Sequence, residues 1–227
     1  MVSIAASAGP ALPKATPFTK AELLNNERDV LGLYLSGHPL AKYSRHLKKL
    51  AKNTISEIQD NPTQGRVQVA GIITRIKKRQ TKNKDNWAQL TVEDERQSIT
   101  ANVFSRVWAE LSKTIEINQA VIVNGDLRGD ELSTKPEITV NSVEPILNAI
   151  ERKANKVTIH LPENISKDTL MRLHSIFDAS KGICEVYLTI NVNGKETVIS
   201  IPKHIRINQA LVNFIEENFG KDAWDFE

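Results

Sequence analysis

The sequence has one cysteine, Cys184, and few aromatic residues, 5% of the chain. A single cysteine excludes an internal disulfide framework and a metal site built from several thiolates, and we expect Cys184 to be a small core residue. The five histidines lack the paired spacing of metal ligands. No carboxylate cluster is placed to hold two catalytic metals. The sequence therefore predicts no metal, no cofactor and no catalytic residue.

Long apolar runs are also missing, which excludes a membrane-spanning helix. Residues 1–17 are rich in Ala and Pro but have neither a cationic start nor a continuous apolar stretch, so they are not predicted to be a signal peptide. We interpret them as a linker or as residues added by cloning. The predicted location is the cytoplasm, with no membrane partner.

Charge is unevenly distributed, although the net charge is only +3. Residues 1–155 contain 22 Lys and Arg against 17 Asp and Glu, whereas residues 156–227 contain 8 against 10. A basic front and a mildly acidic back indicate different partners for the two parts. Between Arg66 and Lys84 there are seven basic residues and no acid. This run indicates either a nucleic-acid contact or a strand edge kept soluble by its charge.

The middle of the chain has the pattern of a five-stranded barrel. We predict strands over 66–79, 86–94, 97–104, 120–128 and 137–144, with a helix over 105–111. Five strands with a helix between the third and fourth is the order of an OB-fold, which binds oligonucleotides or oligosaccharides on its strand two–three face. The predicted fold class is mainly β plus α+β: a five-stranded OB-fold barrel preceded by helices and followed by a small α+β C-terminal domain.

The predicted domains follow from this order. They are a helical connector over 18–65, the OB-fold nucleic-acid-binding domain over 66–146, a polar linker over 147–155 and a C-terminal α+β partner-binding domain over 156–227. In the connector, Thr19 and Glu22 form a capping box that begins a helix, which we expect to end at Ser36-Gly37. A second helix follows, and its basic face either contacts phosphates or is merely solvated. That face carries Lys42, Arg45, Lys48, Lys49 and Lys52.

Alternation assigns the faces of the second and third strands. The face opposite the apolar one carries Trp87, Gln89, Thr91, Ser98, Thr100 and Asn102. An exposed Trp beside hydrogen-bonding side chains suits stacking of an unpaired base; the alternative is that a neighbouring segment covers Trp87. We expect Phe104 and Trp108 to pack the insert helix onto the barrel. Gly71 is predicted to mark a bend, so faces beyond it cannot be assigned by parity.

Residues 156–227 predict the order strand, helix, strand, strand, helix. Ser166 and Asn208 are suited to begin the two helices, and Gly182 and Gly220 to end them. Asn193-Gly194 predicts a tight hairpin. The tail 221–227 places Trp224 and Phe226 among acidic residues. These aromatic side chains either dock on their own domain or serve a partner.

The segment Glu27-Arg-Asp-Val-Leu-Gly-Leu-Tyr-Leu-Ser-Gly-His-Pro-Leu40 closely resembles the segment that precedes the OB domain in bacterial DNA polymerase III alpha subunits. Ala70-Gly-Ile-Ile, Leu90-Thr-Val-Glu-Asp94 and Val103-Phe104 resemble the OB domain of the same family, in order and in spacing. The resemblance is strong over 18–146 and weaker over 156–227. It implies a fragment that lacks the upstream catalytic palm, so we expect no nucleotide incorporation by this chain.

The resemblance also implies partners. In the family, the OB domain contacts single-stranded template DNA, the last domain binds the tau subunit of the clamp loader, and other replisome subunits bind parts of the longer chain. The chain departs from the family at Gln89, where relatives often have an apolar or aromatic residue. Stacking here would then depend on Trp87.

Two sets of site residues are predicted. Weak, sequence-tolerant binding of single-stranded DNA is expected at Arg75, Lys77, Lys78, Arg79, Lys82, Lys84, Trp87, Thr100 and Asn102. Binding of the tau subunit is expected at Phe219, Trp224, Asp225 and Phe226. Two other functions stay open: an anticodon-type OB appendage of an aminoacyl-tRNA synthetase, and a scaffold whose barrel binds protein only.

Overall fold

The computed structural model describes residues 18, 20–32, 34–35, 37–62, 64–128, 135–192 and 194–227. The described residues up to His38 belong to one compact unit, and the described residues from Pro39 belong to another. In the first unit, helix α1 (Lys20–Leu31) ends at Gly32, whose φ of +75° is left-handed and whose N–H donates to the Arg28 carbonyl at 2.8 Å. The prediction that this helix continues to Gly37 was wrong, because Gly32 ends it first. The predicted cap Thr19 lies outside the described residues.

The second unit begins with short helices. A 3-10 turn (Pro39–Tyr43) is followed by α2 (Ser44–Leu50) and α3 (Ile55–Asp60). Helix α3, which the sequence did not predict, begins with a capping box. The Thr54 hydroxyl accepts from the Glu57 N–H at 3.2 Å, and the Glu57 carboxylate accepts from the Thr54 N–H at 2.8 Å. These bonds satisfy backbone donors that the first helical turn leaves unpaired.

The five predicted barrel strands and the insert helix are confirmed. Strands β1 (Gly65–Gln80), β2 (Asn86–Glu93) and β3 (Ser98–Val103) precede helix α4 (Ser105–Leu111), and β4 (Ala120–Arg128) and β5 (Glu137–Pro145) follow it. The strands close in the order β1-β2-β3-β5-β4. The alternating apolar residues of all five strands fill the barrel, together with Ile55 and Ile58 of α3. This is an OB-fold.

Strand β1 bends so that each half of it can pair with a different neighbouring strand. Residues Gly65–Ile72 pair with β4 and residues Ile72–Gln80 pair with β2, with a register shift between Ile73 and Arg75. Val69 and Ile73 face the barrel core before the shift, and Ile76 packs against that core after it. Odd-numbered residues of β1 thus face the core before the shift, and even-numbered residues face it afterwards. The expected loss of parity beyond Gly71 is confirmed.

The rest of the chain forms a four-stranded sheet with helices. Helix α5 (Ile146–Lys153) leads into β6 (Lys156–Leu161), α6 (Lys167–Ala179), β7 (Lys181–Val192), β8 (Lys195–Ile205), α7 (Gln209–Phe219) and β9 (Trp224–Phe226). The sheet order is β8-β7-β6-β9. The predicted element order is confirmed up to α7, whereas the final strand β9 was not predicted.

Three of the four predicted helix ends are confirmed. The Ser166 hydroxyl accepts from the Thr169 N–H at 3.0 Å, and the Asn208 side chain accepts from the Leu211 N–H at 2.9 Å. Gly220 ends α7 with a φ of +99°. Gly182, however, lies inside β7, where a Cβ atom would come within 2.5 Å of the Ile205 carbonyl carbon. A glycine is needed there for close strand approach, not for a helix end.

The outside of the barrel and the C-terminal sheet pack into one hydrophobic core, which is separate from the core inside the barrel. Ala70, Ile72 and Ile122, on the outside of the barrel, pack in the same cluster as Ile150 of α5 and Trp224 of β9. The segment predicted as a polar linker is therefore a helix with three buried side chains: Ile146, Ala149 and Ile150. The sequence did not predict this helix, because the polar residues on its exposed side made the segment resemble a linker.

Cys184 belongs to this core, as predicted, with 3% of its surface exposed. Burial raises the pKa of its thiol to about 11, so the thiol stays protonated at neutral pH. Among the helices that the structure describes, none is long and apolar enough to cross a membrane.

Candidate nucleic-acid interface

Three basic residues of β1 form a row on the outside of the barrel. Arg75 lies opposite Thr91, Lys77 opposite Gln89 and Arg79 opposite Trp87. Directly opposed residues of an antiparallel pair share a face. The three cations are all exposed, so the register shift after Ile73 places them beside the outer residues of β2.

Trp87 is stacked on a second aromatic side chain, Phe104. Their ring centroids are 6.0 Å apart with 25° between the planes, and the Arg79 guanidinium lies 5.6 Å from the Trp87 centroid. Phe104 is 47% exposed, whereas Trp108 is buried against the barrel. The prediction for Trp108 is confirmed and the one for Phe104 was wrong. Because Ala88 pairs with Val103, the next pair outward brings Phe104 beside Trp87.

A row of polar side chains crosses the barrel next to these rings. The Arg79 guanidinium donates to Gln89 at 3.5 Å, the Gln89 amide donates to Asn102 at 3.2 Å, and the Asn102 amide donates to a Glu137 carboxylate oxygen at 2.6 Å. Thr100 lies opposite Thr91 on the same face. The face thus changes from basic at β1 to acidic at β5.

Two of the remaining predicted cations occupy the tip of the β1–β2 hairpin, and the third, Lys78, lies within β1. Lys82 and Lys84 lie in a turn, exposed, and Lys84 has a left-handed φ of 66°. The Lys84 N–H donates to the Thr81 carbonyl at 3.0 Å, which closes the turn. Lys78 lies opposite Ala88, whose side chain is in the barrel core. Lys78 is therefore on the other face of the hairpin from Lys77, where it is also exposed.

Sequence reasoning missed two residues of this face, Phe104 and Glu137. Phe104 could have been found by continuing the alternation of the third strand one step beyond Asn102. Glu137 could not, because β5 joins β3 in parallel, with Glu137 beside Thr100, and no local pattern sets that register.

The C-terminal tail is the second predicted site, and the structure buries its aromatic side chains. Trp224 and Phe226 are 2% and 3% exposed, and β9 pairs with β6 so that Trp224 lies opposite Ile159 and Phe226 opposite Val157. The alternative that these side chains dock on their own domain is confirmed. Neither can present a free surface to a partner in this state. Phe219 is half-buried, with its ring 5.8 Å from that of Phe214.

The tail also pairs with the basic face of α2. The Lys49 ammonium donates to the Asp225 carboxylate at 2.8 Å and to the Phe226 carbonyl at 2.6 Å, and Arg45 donates to the Asp222 carbonyl at 2.5 Å. Burial raises the pKa of the Asp225 carboxyl, but the Lys49 and backbone hydrogen bonds outweigh it and hold that pKa below its usual range. Two cations of the predicted basic face are thus occupied by the acidic tail.

His46 lies under this contact. Its ring centroid is 4.2 Å from that of Trp224 and 5.1 Å from that of Phe226, and the side chain is 1% exposed. Burial lowers the pKa of His46 to about 4, although Asp225 opposes the shift. The imidazole is therefore neutral at physiological pH and acts as a packing residue. Within the described residues, no group of three or more His, Cys, Asp or Glu is arranged to hold a metal ion.

Comparisons with known proteins agree with the barrel. A protein-family model described as an OB-fold nucleic acid binding domain, of the tRNA anti-codon type, matches residues 67–146. Among solved structures, the second single-stranded DNA binding protein of Mycobacterium smegmatis covers 37% of this chain and 87% of that chain, with 18% identity and a TM-score of 0.33. At that value we draw no function from the likeness.

Curated relatives match most of the chain. It is 26% identical to the DNA polymerase III subunit alpha of Pseudomonas aeruginosa over 212 residues, 92% of this chain and 18% of that protein. It is 34% identical to the same subunit of Buchnera aphidicola over 169 residues, 73% of this chain and 15% of that protein. The resemblance carried by the Ser36-to-Leu40 signature and the barrel is confirmed: the chain is related to the DNA polymerase III alpha subunits, along a region that makes up about a fifth of their length.

Proposed function

We propose that the outer face of β1, β2 and β3 binds single-stranded DNA as the template-contacting, non-catalytic part of a replicative polymerase subunit. The observation that carries the proposal is the Trp87–Phe104 pair beside Arg79. Aromatic rings offer a stacking surface for an unpaired base, and the neighbouring cations neutralise phosphates. Arg79 lies beside the pair, and four further cations lie on the same β1–β2 hairpin: Arg75, Lys77, Lys82 and Lys84.

The alternatives are weaker. An anticodon-type appendage would have the same barrel, and the family model that matches 67–146 is of that type. The match over 92% of the chain, however, is to polymerase alpha subunits, and it includes the C-terminal domain. A protein-only scaffold does not explain why a basic hairpin lies beside a stacked aromatic pair, the exposed Phe104 and the half-buried Trp87.

We expect Trp87→Ala with Phe104→Ala to weaken binding of a fluorescent single-stranded oligonucleotide. The reason is that stacking on an aromatic side chain contributes about 1–3 kcal/mol per base. Changing Arg79, Lys82 and Lys84 to Ala should lower affinity and also reduce the slope of log affinity against log salt by about 2, since each single-strand phosphate contact contributes about 0.7. The measurement is a titration by fluorescence anisotropy at several salt concentrations.

The matched control changes three exposed lysines of the C-terminal domain to Ala: Lys167, Lys195 and Lys221. This control removes the same charge but should leave most of the affinity and the slope intact. Equal losses in the two triple variants would mean that only net charge matters. Unchanged affinity in the folded double variant would place the DNA site elsewhere, and tighter binding of tRNA than of DNA would favour the anticodon-type function.

We infer, as a second function, that the C-terminal domain binds the tau subunit, in line with the relatedness to polymerase alpha subunits. The buried Trp224 and Phe226 cannot supply that surface directly. The domain instead exposes apolar side chains on β8, the strand at one edge of its sheet, where Val198 is 60% and Ile199 44% exposed. An edge strand offers unpaired backbone groups to another chain, and exposed apolar residues beside them are typical of interaction sites.

Val198→Ser and Ile199→Ser together should reduce binding of tau, because they remove apolar area from that edge while leaving the core intact. The measurement is surface plasmon resonance with immobilised tau, beside a thermal melt of each variant. The control is Val30→Ser with Leu35→Ser in the first unit, where both residues are also exposed. Tau binding that is unchanged in a folded Val198 and Ile199 variant would exclude this surface.

A further inference from the structure

We propose that Glu137 makes the DNA-binding face prefer cytosine over thymine. This proposal rests on the proposed single-strand binding and changes one expectation about it, because the predicted cations and the stacking Trp87 indicated sequence-tolerant binding. The feature that carries it is the acidic end of the row Gln89–Asn102–Glu137, which lies on the stacking side of the barrel.

The position of Glu137 follows from strand register. Trp87, Gln89 and Thr91 lie successively along the outer face of β2, and Asn102 and Thr100 lie beside Gln89 and Thr91 on β3. Side chains on one face of a strand repeat about every 7 Å. The hydrogen bond at 2.6 Å brings the Glu137 carboxylate onto Asn102. Asn102 of β3 is one side-chain step from Phe104, and the acid lies one strand farther across the face, on β5.

The chemistry of the row selects among bases. A carboxylate only accepts hydrogen bonds and has about four lone-pair positions, of which Asn102 takes one. Cytosine presents the N4 amino group, a donor, where thymine presents the O4 acceptor. Where position 4 of the base lies at Glu137, cytosine therefore gains a charge-assisted hydrogen bond from N4, and thymine sets its O4 against like-signed partial charge.

The charge gradient across this face also favours one orientation of the bound DNA strand. Arg75, Lys77 and Arg79 line the β1 side of the face, and Glu137 lies at its β5 side. Phosphates are attracted to the basic side and repelled from the acidic one. The backbone of a bound strand is thus expected along β1, with base edges directed across β2 and β3 toward Glu137.

The test compares two homopolymers, oligo(dC) and oligo(dT) of equal length, at pH 8 and fixed salt. Pyrimidines of similar size keep the stacking contribution comparable. The intact chain should bind oligo(dC) about fivefold more tightly, at the low end of discrimination by one base contact. In Glu137→Gln the preference should vanish, because a carboxamide both donates and accepts. Glu163→Gln, the same charge change on an exposed loop of the C-terminal domain, should keep the preference.

The outcomes separate this inference from the proposed function. If neither oligonucleotide binds, the single-strand function itself is wrong. If both bind equally to the intact chain, or if Glu137→Gln raises affinity for both by the same factor, binding stands and the base preference is overturned. A preference that is lost in Glu137→Gln and retained in Glu163→Gln supports Glu137 as a specificity-determining residue.

Discussion

Trp224→Ala should destabilise the protein more than any other tail substitution. We expect the free energy of unfolding to fall by about 3–5 kcal/mol, because truncating a buried aromatic side chain removes its apolar contacts and leaves a cavity. Trp224 is 2% exposed and packs in the core that joins the barrel to the C-terminal sheet. The measurement is a urea or thermal unfolding curve followed by circular dichroism.

The control is Trp87→Ala, which removes the same ring from a half-buried position on the outer face of the barrel. That variant should lose much less stability than Trp224→Ala, since Trp87 is half-buried on the outer face and belongs to neither buried cluster. Deleting residues 223–227 should also lower the midpoint strongly, because the deletion removes the whole of β9. A Trp224→Ala variant as stable as the parent would mean that the tail does not close the core.

Stability should fall as the pH drops from about 6.5 to about 4, and His46 should cause much of the loss. The pKa of His46 is lowered by burial from 6.5 to about 4 in the folded protein. Between these two pH values the unfolded chain binds a proton at His46 that the folded chain does not. The contribution of neutral His46 to stability is therefore complete above pH 6.5 and is lost as the pH falls toward about 4. A tenfold difference in proton affinity between the two states corresponds to about 1.4 kcal/mol, so protonation of His46 should lower the free energy of unfolding by about 3 kcal/mol.

The charged groups around His46 are Asp225, Lys49 and Arg45. The Asp225 pKa is lowered below its usual value of 3.8, so loss of its contribution begins only as the pH falls toward that value, mostly below the His46 window. In His46→Phe, the melting temperature should depend much less on pH between 7 and 4. The measurement is the midpoint at each pH for both proteins. Equal pH dependence in the two would show that His46 does not titrate with folding.

Much of the barrel could be predicted from the sequence, because its signals are local. Alternation along β2 and β3 sorts core from surface, and the helix over Ser105–Leu111 and the strand over Ala120–Arg128 begin and end where predicted. The caps Ser166 and Asn208 were equally local. Gly182 was misread because a glycine after a helix resembles a helix end, whereas the need for it comes from the backbone of β8 at Ile205, a distant part of the chain.

The outer face of the barrel depended on tertiary structure. Before the register shift at Ile73, odd residues of β1 face inward, and without that shift Arg75, Lys77 and Arg79 would do so as well. The bend that closes the barrel turns these three side chains outward, because β1 must pair with both β4 and β2. Glu137 joins the face only through the parallel pairing of β3 and β5.

The role of the tail was decided in the same way. Its composition, two aromatic residues among acids, fits an interface and a docked strand equally well. The choice depends on whether apolar surface elsewhere in the chain needs covering, and on a basic helix 176 residues earlier, from which Lys49 contacts Asp225. Local sequence specifies which residues can be buried or charged. Only the folded chain specifies which of them meet, because burial and ion pairing join residues that are distant along the chain.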